Sequence, residues 1–246
     1  MKKLVLITND DGILDGGIQV LRDNVGRLWD TIMVAPDSEQ SAVSHALTLN
    51  RPLRVNKIDT NTMSVDGTPT DCVMLSLKGL LIRTPDLVIS GINKGANLGD
   101  DVIYSGTVAG AAEAAILGVP SVAFSLVEPD NTDLDLAAEI AVRIIKTVMN
   151  NTLPGGIFLN VNIPGVWSGK SFEVTSLGRR SFREVIVEKI DPRGKPYYWI
   201  AGQVEKWEGD DNCDFAAIER GNVSITPLQL NMTATEFLGV VTKWKF

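Results

Sequence analysis

The alternation of short apolar runs with helical stripes through the first two-thirds of the chain constrains its fold most. The runs Leu4–Thr8, 31–35, 85–90, 120–125 and 156–161 have strand length and are too short for buried helices. Between the first two, residues 17–28 place Ile18, Leu21, Val25 and Leu28 at helical spacing. Residues 71–81, 107–117 and 133–149 read as further helices, the second of these with Gly118 behind it as a C-cap and the last with acids at its start. Residues 47–58 and Thr62–Val65 predict a small antiparallel excursion, broken by Pro52 and Asn61. Strands that alternate with helices build βαβ units. The expected class is therefore α/β, a Rossmann-like, mostly parallel three-layer sandwich with 156–161 as the last strand of its sheet.

After Pro164 the pattern changes. Arg179–Ile190 and 197–201 are β-prone arms around the turn-rich sequence DPRGKP. The expected division is an α/β core over 1–164 that carries the active site, and a C-terminal extension over 165–246. That extension holds a β-hairpin at about 179–201 and a swapped or docking tail helix within 233–246. A lone hairpin bearing Tyr197, Tyr198 and Trp199 is marginal in water. An oligomer contact, in a homodimer or homotetramer, is expected to cover it.

Composition removes several chemistries. The chain has one histidine, His45, and two distant cysteines, Cys72 and Cys213. Zinc ribbons, H-E-x-x-H and every multi-histidine site are impossible. A Ser-His-Asp hydrolase would have to use His45, and no G-x-S-x-G elbow is present. A bound metal would need mainly oxygen ligands, which select hard cations such as magnesium or manganese. The net charge of −7 argues against a nucleic acid polymer as partner. No apolar run approaches the roughly 18–20 residues of a membrane span. The N-terminal run enters Thr8-Asn9-Asp10-Asp11-Gly12 and reads as a first strand, not as a signal peptide, so a cytoplasmic protein is expected.

In open α/β sheets ligands bind beyond the carboxyl ends of the strands, which picks out four polar loops. The first holds Asn9, Asp10, Asp11 and Gly12; its adjacent acids repel unless a cation or strong donors lie between them, although a solvated turn is the commoner outcome for such a sequence. The second, 35–45, holds Ser38, Ser41 and His45, with Asp37 or Ser38 as a possible helix N-cap. The third, 90–99, spaces Gly91, Gly95 and Gly99 by four around Asn93 and Asn97. The fourth, Tyr104-Ser105-Gly106-Thr107, opens the small-residue helix and suits an anion, or is simply a cap. Acids, oxygen donors and an anion nest at successive strand ends point to metal-assisted phosphate chemistry. The segment 164–171 has one residue too few for a P-loop and reads as a surface connection.

The segments TNDDG, APDSEQS, SGINKGANLGDDVIYSGTVAGAAEA and GVPSVAFS, with DGTPTDCV and DPRGKPYYWI, resemble the SurE (survival protein E) family of nucleotidases. The resemblance spans nearly the whole chain. It implies a metal-dependent phosphatase, a 5'-nucleotidase that hydrolyses nucleoside 5'- and 3'-monophosphates. A short-chain polyphosphatase or broad phosphomonoesterase is the alternative enzyme, and a phosphate-binding regulator the non-enzymatic one. It further implies one divalent cation per subunit, Mg2+ or Mn2+, on Asp10, Asp11, Ser41 and Asn93. Asn9, Asn97, Ser105, Gly106 and Thr107 would hold the phosphate, and Asp10 or Asp11 would orient the water. His45 is either the proton donor to the leaving nucleoside, a phosphate contact, or a structural residue. Departures from the family are Ala42, where glycine is frequent, Ser44-His45, near which many members have an asparagine, and a tail without the acid and histidine that some members carry.

Overall fold

The computed structural model describes residues 2–127, 133–167, 169 and 171–245, with the side chains of 180–185 and 201–206 left aside. In chain order the main elements are β1 (Leu4–Thr8), α1 (Gly16–Gly26), β2 (Asp30–Pro36), β3 (Val55–Lys57), β4 (Thr62–Val65) and α2 (Pro69–Leu75). They continue with β5 (Leu87–Lys94), α3 (Gly106–Ile116), β6 (Ser121–Leu126), α4 (Leu134–Met149) and β7 (Ile157–Ile163). The last group is β8 (Phe172–Val174), β9 (Arg179–Ile190), β10 (Pro196–Glu208), α5 (Asp214–Glu219), β11 (Val223–Gln229) and α6 (Leu238–Val241).

One nine-stranded sheet runs in the order β3-β4-β2-β1-β5-β6-β7-β11-β8. The strands from β4 to β7 are mutually parallel. β1 is buried along its whole length, and its alternate residues enter different layers. Val5 and Ile7 pack with Ile18, Leu21 and Val25 of α1 and Ile140, Ile144 and Ile145 of α4. Leu6 packs the other way, with Cys72 and Val73 of α2 and Ala114 of α3. The three-layer α/β class is thus as the sequence predicts.

From β1 the chain builds outward through β2 and β4, then crosses to β5 and builds the other way. The strand order therefore reverses between β1 and β5, and the carboxyl ends of these two strands flank a natural crevice. The small residues of α3 let it lie low over that crevice. A Cβ on Gly110 would meet Ser90 Oγ at 3.0 Å and Thr8 Cγ2 at 3.1 Å.

Several sequence expectations are corrected. Only Val55–Lys57 of the expected strand 47–58 is extended in a ladder. Before it, Thr48 donates from its backbone and hydroxyl to Asp71, and Pro52 has no N–H to offer a neighbour. β4 also joins the main sheet, parallel to β2. The helix expected over 71–81 starts at Pro69, under a capping box of Thr68 and Asp71, and changes to a wider π-helical turn over Ser76–Leu80. β7 is not the last strand. β11 pairs antiparallel with it and β8 pairs with β11, so the sheet continues across the expected boundary at 164. The hairpin is longer than expected, β9 and β10 pairing from Pro196 opposite Ile190 to Glu208 opposite Arg179. Ile186, Tyr198, Trp199 and Ile200 on it, and Phe237, Leu238 and Trp244 in the tail, are exposed.

The close seat of α3 yields a test. Gly110→Leu would drive a side chain into Thr8 and Ser90 and is expected to cost about 2–3 kcal/mol, read as a lowered urea midpoint.

Candidate active site

The loop after β1 is shaped from within. Asn9 is fully buried, and its Nδ2 donates to Gly12 O at 3.0 Å, closing the turn that Gly12 completes at φ +100°. That turn turns Asp10 under the first turn of α3. Thr107 Oγ1 donates a short hydrogen bond to Asp10 Oδ1, and a Cβ on Gly106 would stand 2.8 Å from Asp10 Cβ. Glycine at 106 is therefore what lets helix and acid meet. Ser105 is the N-cap, its Oγ accepting from Val108 N at 3.1 Å, so its hydroxyl proton stays available for an anion.

Burial raises the Asp10 carboxyl above its usual range, opposed mainly by the Thr107 hydroxyl. Asp11 is pushed up to about 6, first by burial, then by the negative charges of Asp10 and Asp15. Its Oδ2 is buried without a hydrogen-bond partner. An orphaned carboxylate oxygen beside a second raised acid fits a cation that compensates both. Among the described residues no three His, Cys, Asp or Glu side chains gather into a ligand cluster. A cation here would take its charge compensation from the two aspartates and its other ligands from neutral oxygens.

The remaining expected residues are held in different ways. β5 runs on to Lys94, past the expected strand end, with an irregular register between Ser90 and Asn93. A Cβ on Gly91 would stand 2.3 Å from Phe124 O, and φ there is +131°. Asn93 thus stands on β5 opposite Ser125 of β6 rather than in a free loop, its Nδ2 donating to Gly95 O at 2.8 Å. Asn97 is clamped: its backbone N–H donates to Asn162 Oδ1, its carbonyl accepts from Asn160 and Asn162, and its Nδ2 donates to Ser125 Oγ. The second loop does not start a helix, and neither Asp37 nor Ser38 caps one. Backbone bonds to other elements staple it instead, from Asp37 to Val65 O and from Gln40 to Asp10 O. Ser41 is exposed and its Oγ donates to Glu39 Oε1 at 2.6 Å, turned to its own loop. Ala42 and Ser44 both hold φ of +56°, a left-handed conformation that favours glycine.

Three groups escaped the sequence reading. Lys94 Nζ donates to Asp15 Oδ2 at 2.5 Å, a cation beside the acidic loop. Asp214, wholly buried, accepts from the backbone of Gly99 and Gly178 at 2.8 Å each and so ties the third loop to the root of the hairpin. Glu113 meets His45 Nε2 at 2.8 Å through Oε2. It is the only charged residue of α3, a signal visible in the sequence and missed.

The chain is similar to known proteins over nearly its whole length. The family described as Survival protein SurE matches residues 5–184. The "5'-nucleotidase SurE" of Geotalea daltonii is 48% identical over 244 residues, covering 98% of each chain. The protein of the same name from Pelobacter propionicus is 48% identical over 245 residues, covering 98% of this chain and 99% of its own. The crystal structure of the SurE protein from Aquifex aeolicus superposes with a TM-score of 0.87 at 43% identity, covering 97% of this chain and 98% of that one.

The raised acid pair has a measurable cost. The folded-state value for Asp11 of about 6 lies above the ordinary 3.8, so the metal-free chain loses stability as pH rises through that interval. Asp11→Asn is expected to stabilise the metal-free chain by about 2 kcal/mol at neutral pH, with no advantage below about pH 4. Thermal unfolding in chelator across this range checks both the size and the sign.

Proposed function

This chain belongs to the SurE family, and from that membership we propose that it is a 5'-nucleotidase, hydrolysing nucleoside 5'- and 3'-monophosphates to nucleoside and phosphate. The observation that carries the reading is the pair Asp10 and Asp11, both raised and the second with an orphaned oxygen, beneath the open first turn of α3 at the strand-order reversal. A helix N-terminus attracts an anion, while two carboxylates repel one. The two are compatible at one site when a cation joins them.

Asp10, Asp11, Ser41 and Asn93 are assigned as the holders of one divalent cation per subunit, Mg2+ or Mn2+. The oxygen-only donor set and the orphaned Asp11 Oδ2 favour such a hard ion. When bound, it would neutralise phosphoryl charge and lower the pKa of a water. Ser41 must turn from Glu39 to take part. The left-handed backbone at Ala42 and Ser44 beside it is conformational strain that such a turn could release.

Ser105, Gly106 and Thr107 are assigned to receive the phosphate on backbone amides and hydroxyls, and Asn97, fixed by β6 and β7, is assigned to the same phosphate. Asn9 acts beneath them by holding the loop in shape. Asp10 or Asp11 orients the attacking water, and His45 protonates the leaving oxygen. Direct attack by water is preferred to an aspartyl-phosphate because both acids would be needed to hold the cation. We ascribe chemistry to the 1–164 core, assembly into a dimer or tetramer to the exposed hairpin and tail of 165–246, and action to the cytoplasm. The free, buried Cys72 and Cys213 suit a reducing compartment.

The test is phosphate release from AMP, 3'-AMP, GMP, a sugar phosphate and tripolyphosphate, with manganese, magnesium or chelator. Release from the nucleotides, abolished by chelator, is expected. Release from tripolyphosphate or the sugar phosphate alone would move the assignment to a polyphosphatase or broad phosphomonoesterase. Asp10→Asn is expected to lower kcat more than about 100-fold with the fold intact; unchanged turnover would remove Asp10 from the site.

A further inference from the structure

α3 carries one charge, and it is buried. Glu113 is 3% exposed on a helix otherwise made of small and apolar residues. Its Oε2 lies 2.8 Å from His45 Nε2, and its Oε1 is buried with no hydrogen-bond partner among the described residues. A buried carboxylate with an unused oxygen is costly unless its partner carries or shares a positive charge. The cost is not needed to hold the second loop in place. Ser44 does that, donating from its backbone to Tyr104 O at 3.0 Å and from Oγ to Ile103 O at 2.7 Å.

Position along α3 suits a role in the reaction. Glu113 lies six residues past Thr107, about 9 Å along the axis. Long helical side chains lean back over the preceding turn, so its carboxylate is carried toward the end of α3 that meets Asp10. The carboxylate engages Nε2, which leaves Nδ1 of a side chain that is 32% exposed.

Resting on the nucleotidase reading above, we infer that Glu113 is the positioning residue of His45, holding Nε2–H so that Nδ1 delivers a proton to the leaving nucleoside oxygen. As water attacks, a new P–O bond forms and the ester P–O bond breaks. The leaving oxygen keeps the bonding pair and takes the Nδ1 proton. His45 is left neutral with Nε2–H still on Glu113. The proton lost by the attacking water passes to solvent, from which Nδ1 is recharged. This is the orienting and stabilising task that a buried carboxylate performs for a catalytic imidazole.

The test uses two esters with the metal-loaded wild type, Glu113→Gln, Glu113→Ala and His45→Ala. The leaving group of AMP needs a proton, whereas that of p-nitrophenyl phosphate departs as a stable anion. Both Glu113 variants are expected to lose about 30- to 100-fold in kcat on AMP, with KM changed less than about twofold and little change on p-nitrophenyl phosphate. Adding Glu113→Ala to His45→Ala should cost nothing further. Because His45 is the only histidine, the ring gives one pair of 15N signals. The neutral wild-type ring should carry its proton on Nε2, and Glu113→Ala should lose that preference.

Equal losses on the two esters would overturn the inference and leave Glu113 a structural pin. So would a change confined to KM, unchanged kcat on AMP, or a wild-type ring protonated on Nδ1 alone. Wild-type protein that releases phosphate from neither ester would overturn the nucleotidase reading, and this inference with it.

Discussion

The contact between Asp10 and the first turn of α3 organises this molecule. It joins the carboxyl end of the central strand to the helix that follows the third loop. Three features converge on it: a turn closed by Asn9 and Gly12, a helix start reduced to glycine at 106, and the Thr107 hydroxyl. A carboxylate is stabilised at a helix N-terminus by the unpaired amides there, and desolvation works against it. The balance found here leaves Asp10 raised, and its neighbour Asp11 raised as well. Folding thus concentrates negative charge at the one place where the helix end offers positive potential.

Much of this was legible in the sequence because the relevant signals are local. β1 followed by Asn-Asp-Asp-Gly can be read without knowing what pairs with it. So can the capping serine before α3, and Asp133, which accepts from Asp135 and Leu136 as the N-cap of α4. Where pairing at a distance decides, the sequence was a weaker guide. Ser-Gly-Ile-Asn looks like a loop, yet Asn93 pairs with Ser125 because β6 offers a parallel edge for β5 to follow. β11 contains Pro227, which argues against an inner strand, but it is accepted between β7 and β8. His45 and Glu113 are 68 positions apart, and no pattern in either segment announces the other.

Four buried polar side chains serve the loops of the site. Asp10, Asn97, Glu113 and Asp214 are all buried, and each touches or supports a loop at the carboxyl ends of the strands. Apolar packing elsewhere is of the ordinary interdigitated kind, with Val, Ile, Leu and Ala on both sheet faces. The four buried polar side chains hold loops that lack the regularity of a helix or a ladder. Asn97 shows the pattern best, since every one of its four bonds reaches β6 or β7.

The hairpin enters and leaves this framework at one point. Arg179 and Glu208 face each other across its base, and it pairs with no strand of the main sheet. β11 and β8, which lie beyond it in the chain and before it, nevertheless sit side by side. In topological terms the arm is a closed excursion: its length and its outward face are free to vary between descendants of this fold without shifting the register of any strand in the sheet. Selection on what the arm touches is thereby separated from selection on the crevice. Asp214, bonded to Gly178 at the arm's root and to Gly99 at the crevice's rim, ties the two together.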